Sequence, residues 1–164
     1  VHKLGSFDWN DLQMEKHYHS QRPYNQTKLA NLLFARELQR RAKAAGLPLL
    51  SLAVHPGVSR TNIGSSRKSL GSFHFTDHVI SAALNTVMSL FGQSAESGGW
   101  PTLYACTSAN LTPGGFYGPD GFGETRGAPA PVKIHKPGLN EANAKRLWEV
   151  SEQLTGAHFV GLDK

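Results

Sequence analysis

A short apolar run, Leu49-Leu50-Ser51-Leu52-Ala53-Val54-His55, limits most strongly what this chain can fold into. It shows no alternation of apolar and polar residues, which is typical of a central strand in a parallel sheet buried on both faces. Gly46 and Pro48 stand directly before it, and such residues end a preceding helix. A helix followed at once by a buried strand indicates an α/β fold.

A tyrosine and a lysine four residues apart, Tyr24 and Lys28, lie in the segment before this strand. The segment is predicted to be a helix that Ser20 caps and that is buried on two sides. Side chains four apart on a helix project from one face, with Cβ atoms about 5–6 Å apart. Because an ammonium group stabilises a nearby phenolate, such a pair can exchange a proton with a hydroxyl or carbonyl oxygen. The alternative is an ordinary helix with an exposed lysine and a half-buried tyrosine.

The loop after the strand, residues 55–62, is where a ligand is expected, because ligands of doubly wound sheets bind beyond the carboxyl ends of the strands. Gly57 allows a backbone to approach a ligand closely, and Thr61 offers a hydroxyl to a phosphate or an amide. A plain strand-to-helix turn would explain the same residues. If the ligand interpretation holds, this loop and the Tyr24 helix lie on one sheet around one ligand.

The middle of the chain predicts a loop and two helices. Residues 64–76 are rich in Ser, Gly and Lys, and they form either a candidate substrate lid or a disordered linker. Asp77 and Ser94 are the expected N-caps of two successive helices. His17 and His19 are expected in a surface loop rather than at a metal, and no metal site is predicted.

The last third predicts one strand and one helix. Phe116-Tyr117-Gly118 is expected to be a short strand, and residues 119–138 form an irregular loop rich in Gly and Pro. Asn140 caps a final helix that Gly156 ends. That helix is expected to place three side chains in the core: Leu147, Val150 and Leu154.

Composition and charge exclude several classes of protein. Of the 164 residues, 39% are hydrophobic and 18% are charged, as in an ordinary globular chain. The net charge of +5 is scattered, except for four cations on one helix that are predicted to form a solvated face rather than a nucleic-acid surface: Arg36, Arg40, Arg41 and Lys43. The single cysteine, Cys106, is expected to be a buried, inert thiol in a reducing compartment, hence cytoplasmic. No apolar run is long enough to predict a transmembrane segment.

Two ordered motifs, Tyr24-Asn25-Gln26-Thr27-Lys28-Leu29-Ala30-Asn31 and Val54-His55-Pro56-Gly57-Val58 followed by Thr61, resemble the short-chain dehydrogenase/reductase superfamily. Residues 34–38 and 113–117 are similar to its retinol-dehydrogenase-like members. The resemblance implies hydride transfer between NAD(P) and a small-molecule hydroxyl, ketone or aldehyde substrate. It favours NADP slightly over NAD, without deciding between them.

The same resemblance implies a role for each residue of the motifs. Tyr24 would be the acid–base, while Lys28 would stabilise its phenolate and hydrogen-bond the nicotinamide ribose. Thr61 would lie near the cofactor phosphates. Three loop residues would flank the nicotinamide: Pro56, Gly57 and Val58. The chain would supply orientation and electrostatics, because the hydride chemistry belongs to the cofactor.

The sequence also departs from that family. The Gly-rich turn G-x-G-x-x-G of a dinucleotide fold is absent, as is the residue that selects NAD or NADP. Ser6 and Ser20 are no convincing equivalents of the serine that the family uses before the Tyr–Lys helix. The expected fold is therefore the second half of a doubly wound Rossmann-type parallel sheet, with residues 1–164 as the C-terminal part of one NAD(P)-binding domain.

Three hypotheses about function follow. The chain represents an alcohol/carbonyl oxidoreductase, or it is a catalytically incompetent fragment that acts as a folding or oligomerisation module. The third, an unrelated basic binding domain, is disfavoured by the ordered motifs. A parallel sheet without its first strands exposes an unpaired edge and apolar faces, so a homo-oligomer is expected. No nucleic-acid partner is predicted.

Overall fold

The computed structural model describes residues 2–16, 18, 21–59 and 92–162. The described residues divide into two compact units: those within Val1–Ala53, Leu111–Phe116 and Lys133–Lys164 form the first, and those within Val54–Asn110 and Tyr117–Val132 form the second. Helices and strands alternate along these residues as a mixed α/β arrangement: α1 Gln21–Ala44, β1 Ala53–Val54, α2 Ala95–Thr107, β2 Phe116–Pro119, β3 Pro129–Pro131 and α3 Glu141–Thr155, with short 3-10 helices at His2–Leu4, Phe122–Glu124 and Lys136–Leu139.

Helix α1 runs through the first unit and confirms the predicted helix. It ends where the sequence indicates, because Gly46 adopts a left-handed backbone with φ of 68°. The Gly46 amide donates to the Lys43 carbonyl at 3.2 Å and the Leu47 amide to the Ala42 carbonyl at 2.9 Å, the pair of bonds that closes a helix on a C-terminal glycine. The predicted cap, Ser20, lies outside the described residues.

Helix α3 packs on α1 and contributes two buried side chains, Ala144 and Trp148, to the first unit's core. It begins at a capped residue, since the Asn140 side chain accepts from the Asn143 amide at 2.9 Å, and Gly156 ends it with φ of 68°. Ala144 joins the leucines of α1 in one cluster, while Trp148 forms a second cluster with Ala42 and Leu162. Both helix boundaries were therefore predicted correctly.

One predicted core position on α3 is wrong. Leu154 is 62% exposed, whereas Trp148, which the sequence interpretation passed over, is 2% exposed. At about 100° per residue, Leu154 lies roughly 120° around the helix from Trp148, so it points away from the Trp148 cluster. Phe34 and Phe159 cover the indole instead, with ring centroids 5.3 and 5.1 Å from it.

The predicted solvated face of cations on α1 is also wrong in part. Glu37, whose side chain is 1% exposed, lies among these cations and pairs with Arg40 at 2.6 Å and Arg41 at 2.8 Å. The Arg41 side chain is only 11% exposed and stacks 4.7 Å from the centroid of the Trp148 ring. A buried carboxylate attracts guanidinium groups inward, so these charges form a structural ion-pair network.

Strand β1 is shorter and more exposed than the predicted central strand. Only Ala53–Val54 is extended in the sheet, while Leu49 and Leu50 are 40% and 49% exposed. The amides before the strand are bonded elsewhere, because Ser51 donates to the Gln39 side chain at 2.8 Å. A strand buried on both faces is therefore a wrong prediction for this run.

The three strands follow the order β1-β2-β3. The Ala53 amide donates to the Gly115 carbonyl at 3.0 Å and the His55 amide to the Tyr117 carbonyl at 2.9 Å, a stepped pattern that makes β1 and β2 parallel. Strand β3 is antiparallel to β2, with Tyr117 opposite Pro131. The predicted strand at residues 116–118 is thus confirmed, but β3 falls inside the stretch that was predicted to be irregular.

Helix α2 lies in the second unit and begins at the predicted cap, where the Ser94 hydroxyl accepts from the Ser97 amide at 3.0 Å. Its buried residues are Gly98 and Pro101. Cys106 is exposed, so the prediction of a buried thiol is wrong.

Several predictions fall outside the described residues: the histidine pair at 17 and 19, the candidate lid at 64–76 and the helix after Asp77. In the ranges that the structure does describe, no helix is long and apolar enough to cross a membrane.

Candidate active site

The Tyr24–Lys28 pair lies in the first two turns of α1, in the first unit. The Lys28 ammonium is 5.5 Å from the centroid of the Tyr24 ring. Tyr24 is 44% exposed, and the side chains that share its stripe, Thr27, Lys28 and Asn31, are exposed as well. Phenol and amine therefore lie on one accessible face of the helix, as the four-residue spacing predicts.

The opposite face of the same two turns is buried and fixes them in place. Asn25 and Gln26 are each 8% exposed, and Leu29 is 1% exposed. The Gln26 amide group donates to the Leu12 carbonyl at 2.9 Å, which joins the helix to the segment before it. Gly5 approaches so closely that a Cβ there would stand 2.6 Å from the Leu29 Cβ. The helix start is thus held on its inner face while Tyr24 stays accessible.

The predicted Pro-Gly loop, defined here as residues 55–59, belongs to the second unit. Gly57 adopts φ of 65°, a left-handed conformation that favours glycine. A Cβ at this position would collide with the Thr125 carbonyl and stand 2.8 Å from the Pro119 ring. The loop therefore needs a glycine for both its backbone and its packing, as the sequence indicates.

His55 lies at the start of this loop and connects it to the segment that joins β2 to β3. Its Nδ1 accepts from the Gly57 amide at 3.2 Å, and its Nε2 lies 3.4 Å from a Glu124 carboxylate oxygen. Glu124 itself has φ of 59°, which is rare for a residue with a side chain. Gly118 leaves the space for the imidazole, since a Cβ there would overlap the His55 ring.

Sequence reasoning missed Gln93, which makes three bonds around the loop. Its main-chain amide donates to the Val58 carbonyl at 2.9 Å, and its side-chain amide donates to the Pro56 carbonyl at 2.7 Å. Its side-chain oxygen accepts from the Gly127 amide at 3.4 Å. Gln93 also forms a parallel bridge with Ser59, and no local pattern in the sequence signals a pair 34 residues apart.

The six predicted site residues thus do not all lie in the same unit of the structure. Tyr24 and Lys28 lie together in the first unit, while three loop residues lie together in the second: Pro56, Gly57 and Val58. Thr61 lies outside the described residues. That all six surround one ligand stays a prediction.

A groove of about 650 Å³ lies elsewhere in the first unit. It is lined by the C-terminal half of α1, the turn at Pro113 and Gly114, and the start of α3, and it includes none of the predicted site residues. Along α1, Arg36 is about 18 Å from Tyr24 at 1.5 Å per residue. Among the residues with a described placement, no group of three or more His, Cys, Asp or Glu side chains is arranged to hold a metal ion.

Comparison with known proteins defines the class first. A crystal structure of an uncharacterized protein from Mycobacterium paratuberculosis superposes with a TM-score of 0.70 at 36% identity, covering 96% of this chain and 48% of that one. The mixed sheet with its helices is accordingly a partial Rossmann-like α/β fold, which confirms the predicted fold class. No family model matches the chain.

Sequence relatives then specify the class. The chain is 32% identical over 160 residues to retinol dehydrogenase 12 of Mus musculus, 32% over 159 residues to retinol dehydrogenase 13 of Homo sapiens, and 29% over 157 residues to retinol dehydrogenase 14 of Homo sapiens. These alignments cover 95–97% of this chain but only 42–44% of the relatives, so the chain spans less than half of their length. It is homologous to retinol dehydrogenases of the short-chain dehydrogenase/reductase family, and the resemblance drawn from the motifs is confirmed.

Proposed function

We propose that this chain carries the proton-transfer half of an NAD(P)-dependent alcohol/carbonyl oxidoreductase. The observation that supports it is the Tyr24–Lys28 pair, a phenol and an ammonium 5.5 Å apart (ring centroid to nitrogen) on the accessible face of a helix whose other face is buried. The homology to retinol dehydrogenases over nearly the whole chain makes this pair more than a chance spacing.

Each residue then has a defined task. In the oxidative direction the Tyr24 oxygen, as phenolate, takes the proton from the substrate hydroxyl; in the reductive direction it returns that proton to the carbonyl oxygen. Lys28 stabilises the phenolate and hydrogen-bonds the nicotinamide ribose. Bound dinucleotide supplies the hydride transfer. Pro56, Gly57 and Val58 would flank the nicotinamide, and the Thr61 hydroxyl would serve the cofactor phosphates.

The substrate is a small-molecule alcohol or its carbonyl partner, and retinoid alcohols are the first to test because the relatives are named for retinol. NADP is the first cofactor to test and NAD the second. A reducing, cytoplasmic setting and a homo-oligomeric state complete the proposal.

A second candidate function is a catalytically incompetent module for folding or oligomerisation. The observation that favours it is the absence of the G-x-G-x-x-G turn from the 164 residues, together with the exposed leucines at positions 49 and 50. Such a module would need neither dinucleotide nor proton transfer.

Dinucleotide binding separates the two candidates. NADH and NADPH fluorescence would be titrated with the chain alone and with the chain joined to the Gly-rich N-terminal part of a retinol dehydrogenase relative. The oxidoreductase proposal expects binding and turnover in the joined protein, because the adenine-side pocket is then present. A joined protein that folds and binds neither dinucleotide would refute it and favour the module.

A substitution tests the acid–base assignment in the joined protein. Tyr24→Phe is expected to lower kcat roughly 10²–10⁴-fold while leaving dinucleotide affinity nearly unchanged, since only the transferred proton is lost. Tyr18→Phe is the matched control, because Tyr18 is another exposed tyrosine, 73% exposed and six residues upstream. A Tyr24→Phe enzyme with near-normal turnover would remove Tyr24 from the reaction.

A further inference from the structure

Several polar main-chain atoms of the Pro-Gly loop are bonded within the second unit. The Gly57 amide donates to His55, and the Val58 amide donates to the Thr125 carbonyl at 2.7 Å. The Pro56 and Val58 carbonyls both accept from Gln93. Pro56 is exposed while its carbonyl is bonded, so its ring is accessible.

Gln93 is the residue that joins the loop to its support. Its side chain reaches Pro56 in the loop with the donor nitrogen, and Gly127, in the segment between β2 and β3, with the acceptor oxygen. The 2.7 Å bond to Pro56 is short for an N–H donor, whereas the 3.4 Å bond to Gly127 lies beyond the usual range. The donor function is therefore the part of Gln93 on which the loop depends.

We propose that Gln93 is a positioning residue that fixes the Pro-Gly loop for the nicotinamide ring. This inference rests on the proposed function, because it assigns the loop to the nicotinamide. It adds that the loop contacts the nicotinamide ring with the Pro56 side chain, held in a fixed position, rather than with main-chain N–H donors. The loop's position depends on a side chain that never touches the cofactor.

The physical reason is that the bonds within the turn do not fix a single backbone conformation at Gly57. The left-handed Gly57 allows several backbone conformations, which a glycine adopts at little cost. Bonds from a neighbouring segment select one of them, and two of those bonds come from the single residue Gln93. Among the described residues, removing the side-chain donor leaves the Pro56 carbonyl with the Ser59 hydroxyl alone, at 3.1 Å, and frees the turn to move.

The test uses the joined protein described above for kinetics, and the chain alone for amide exchange at Gly57 and Val58. Gln93→Ala is expected to raise KM for the dinucleotide roughly tenfold, equivalent to about 1.4 kcal/mol, with faster exchange at Val58. KM for the alcohol should change less, because the substrate does not contact the loop's support. Gln93→Lys, which keeps a donor, should recover most of the affinity, whereas Gln93→Glu, which keeps only the acceptor, should not.

Gln39→Ala is the matched control. Gln39 also bonds two main-chain groups through its side chain, the Leu49 carbonyl at 3.3 Å and the Ser51 amide at 2.8 Å, but it lies in the first unit. It should cost comparable stability and leave KM for the dinucleotide unchanged. Equal effects of Gln93→Ala and Gln39→Ala on that KM would overturn the positioning role while the proposed function stands. A wild-type joined protein without dinucleotide binding would overturn both.

Discussion

Replacing Glu37 by glutamine should destabilise this chain more than any surface charge change, because Glu37 is a buried carboxylate. Burial raises the pKa of Glu37, but hydrogen bonds from the Arg40 and Arg41 guanidinium groups lower it by more than burial raises it. The pKa of Glu37 therefore lies below its ordinary value. The folded state therefore prefers the charged form. Glutamine keeps the shape and one acceptor oxygen but removes the charge that both arginines face.

The stability lost in Glu37→Gln can be estimated from the solvent exposure of the two arginine partners. Removing one member of a buried ion pair costs about 3–5 kcal/mol. The Arg40 side chain is 47% exposed, so solvent screens its charge and its share is at most about 1 kcal/mol. Arg41 is 11% exposed and would keep a poorly compensated charge over the Trp148 ring. Since glutamine still accepts one hydrogen bond, the expected loss is about 3 kcal/mol, a large part of a typical total of about 5–15 kcal/mol.

Urea unfolding followed by tryptophan fluorescence measures the loss at pH 7. A double-mutant cycle of Glu37→Gln with Arg41→Gln should give a coupling near 2 kcal/mol, and the cycle with Arg40→Gln a smaller one of about 1 kcal/mol or less, since the exposed pair is screened. Comparable couplings would contradict the assignment of the Glu37 interaction mainly to Arg41.

The pH dependence gives an independent check. Because the pKa of folded Glu37 is depressed, its stabilisation is complete above the unfolded carboxyl pKa of about 4.3 and is lost as the pH falls through the lower folded value. The difference in free energy of unfolding between wild type and Glu37→Gln should stay constant from pH 7 to about pH 5 and shrink in stronger acid. A variant as stable as wild type at pH 7, or a gap that persists unchanged in acid, would refute the reasoning.

Three further predictions concern backbone, caps and surface. Gly57→Ala should lower the free energy of unfolding by more than about 2 kcal/mol in thermal unfolding, because left-handed backbone strain adds to the collision with the Thr125 carbonyl. Gly46→Ala, with a similar φ but open space around it, should cost about 1 kcal/mol. Equal costs would contradict the close packing around Gly57. Asn140→Ala should lose about 1 kcal/mol in urea unfolding by removing the cap of α3, and an unchanged midpoint would deny that bond a role. The chain is expected to self-associate through its exposed apolar residues. In sedimentation velocity Leu50→Lys should reduce association, whereas Leu154→Lys, at another exposed leucine, should not. A wild-type chain that stays monomeric at every concentration would contradict the expected self-association.

The parts of the fold that the sequence predicts well are those set by local chemistry. The end of α1 at Gly46 and the limits of α3 at Asn140 and Gly156 follow from capping side chains and left-handed glycines, which act over a few residues. The Tyr24–Lys28 face follows from helix geometry in the same way. Each of these features depends only on neighbours in the chain.

Three of the failures share a dependence on partners that are distant in the sequence. The run before β1 is apolar enough for a buried strand, but the Ser51 amide is bonded by a side chain from α1. Strand β3 carries prolines that argue against a strand, yet it pairs with β2, where Pro131 stands opposite Tyr117. The inward turn of Arg41 requires a buried Glu37 and an indole from α3. No short window of sequence contains these partners.

Helix α1 carries the proposed proton-transfer pair and the buried ion-pair network at separate places, so their catalytic and structural roles are separable by experiment. Tyr24 and Lys28 lie on its exposed face near the start, while Glu37 lies buried about 20 Å further along. Tyr24→Phe should then remove turnover from the joined protein without changing its unfolding, and Glu37→Gln should lower stability while the folded fraction keeps its turnover. A Tyr24→Phe protein that loses stability as Glu37→Gln does would show that the phenol supports the fold, and the acid–base role would have to be assigned elsewhere.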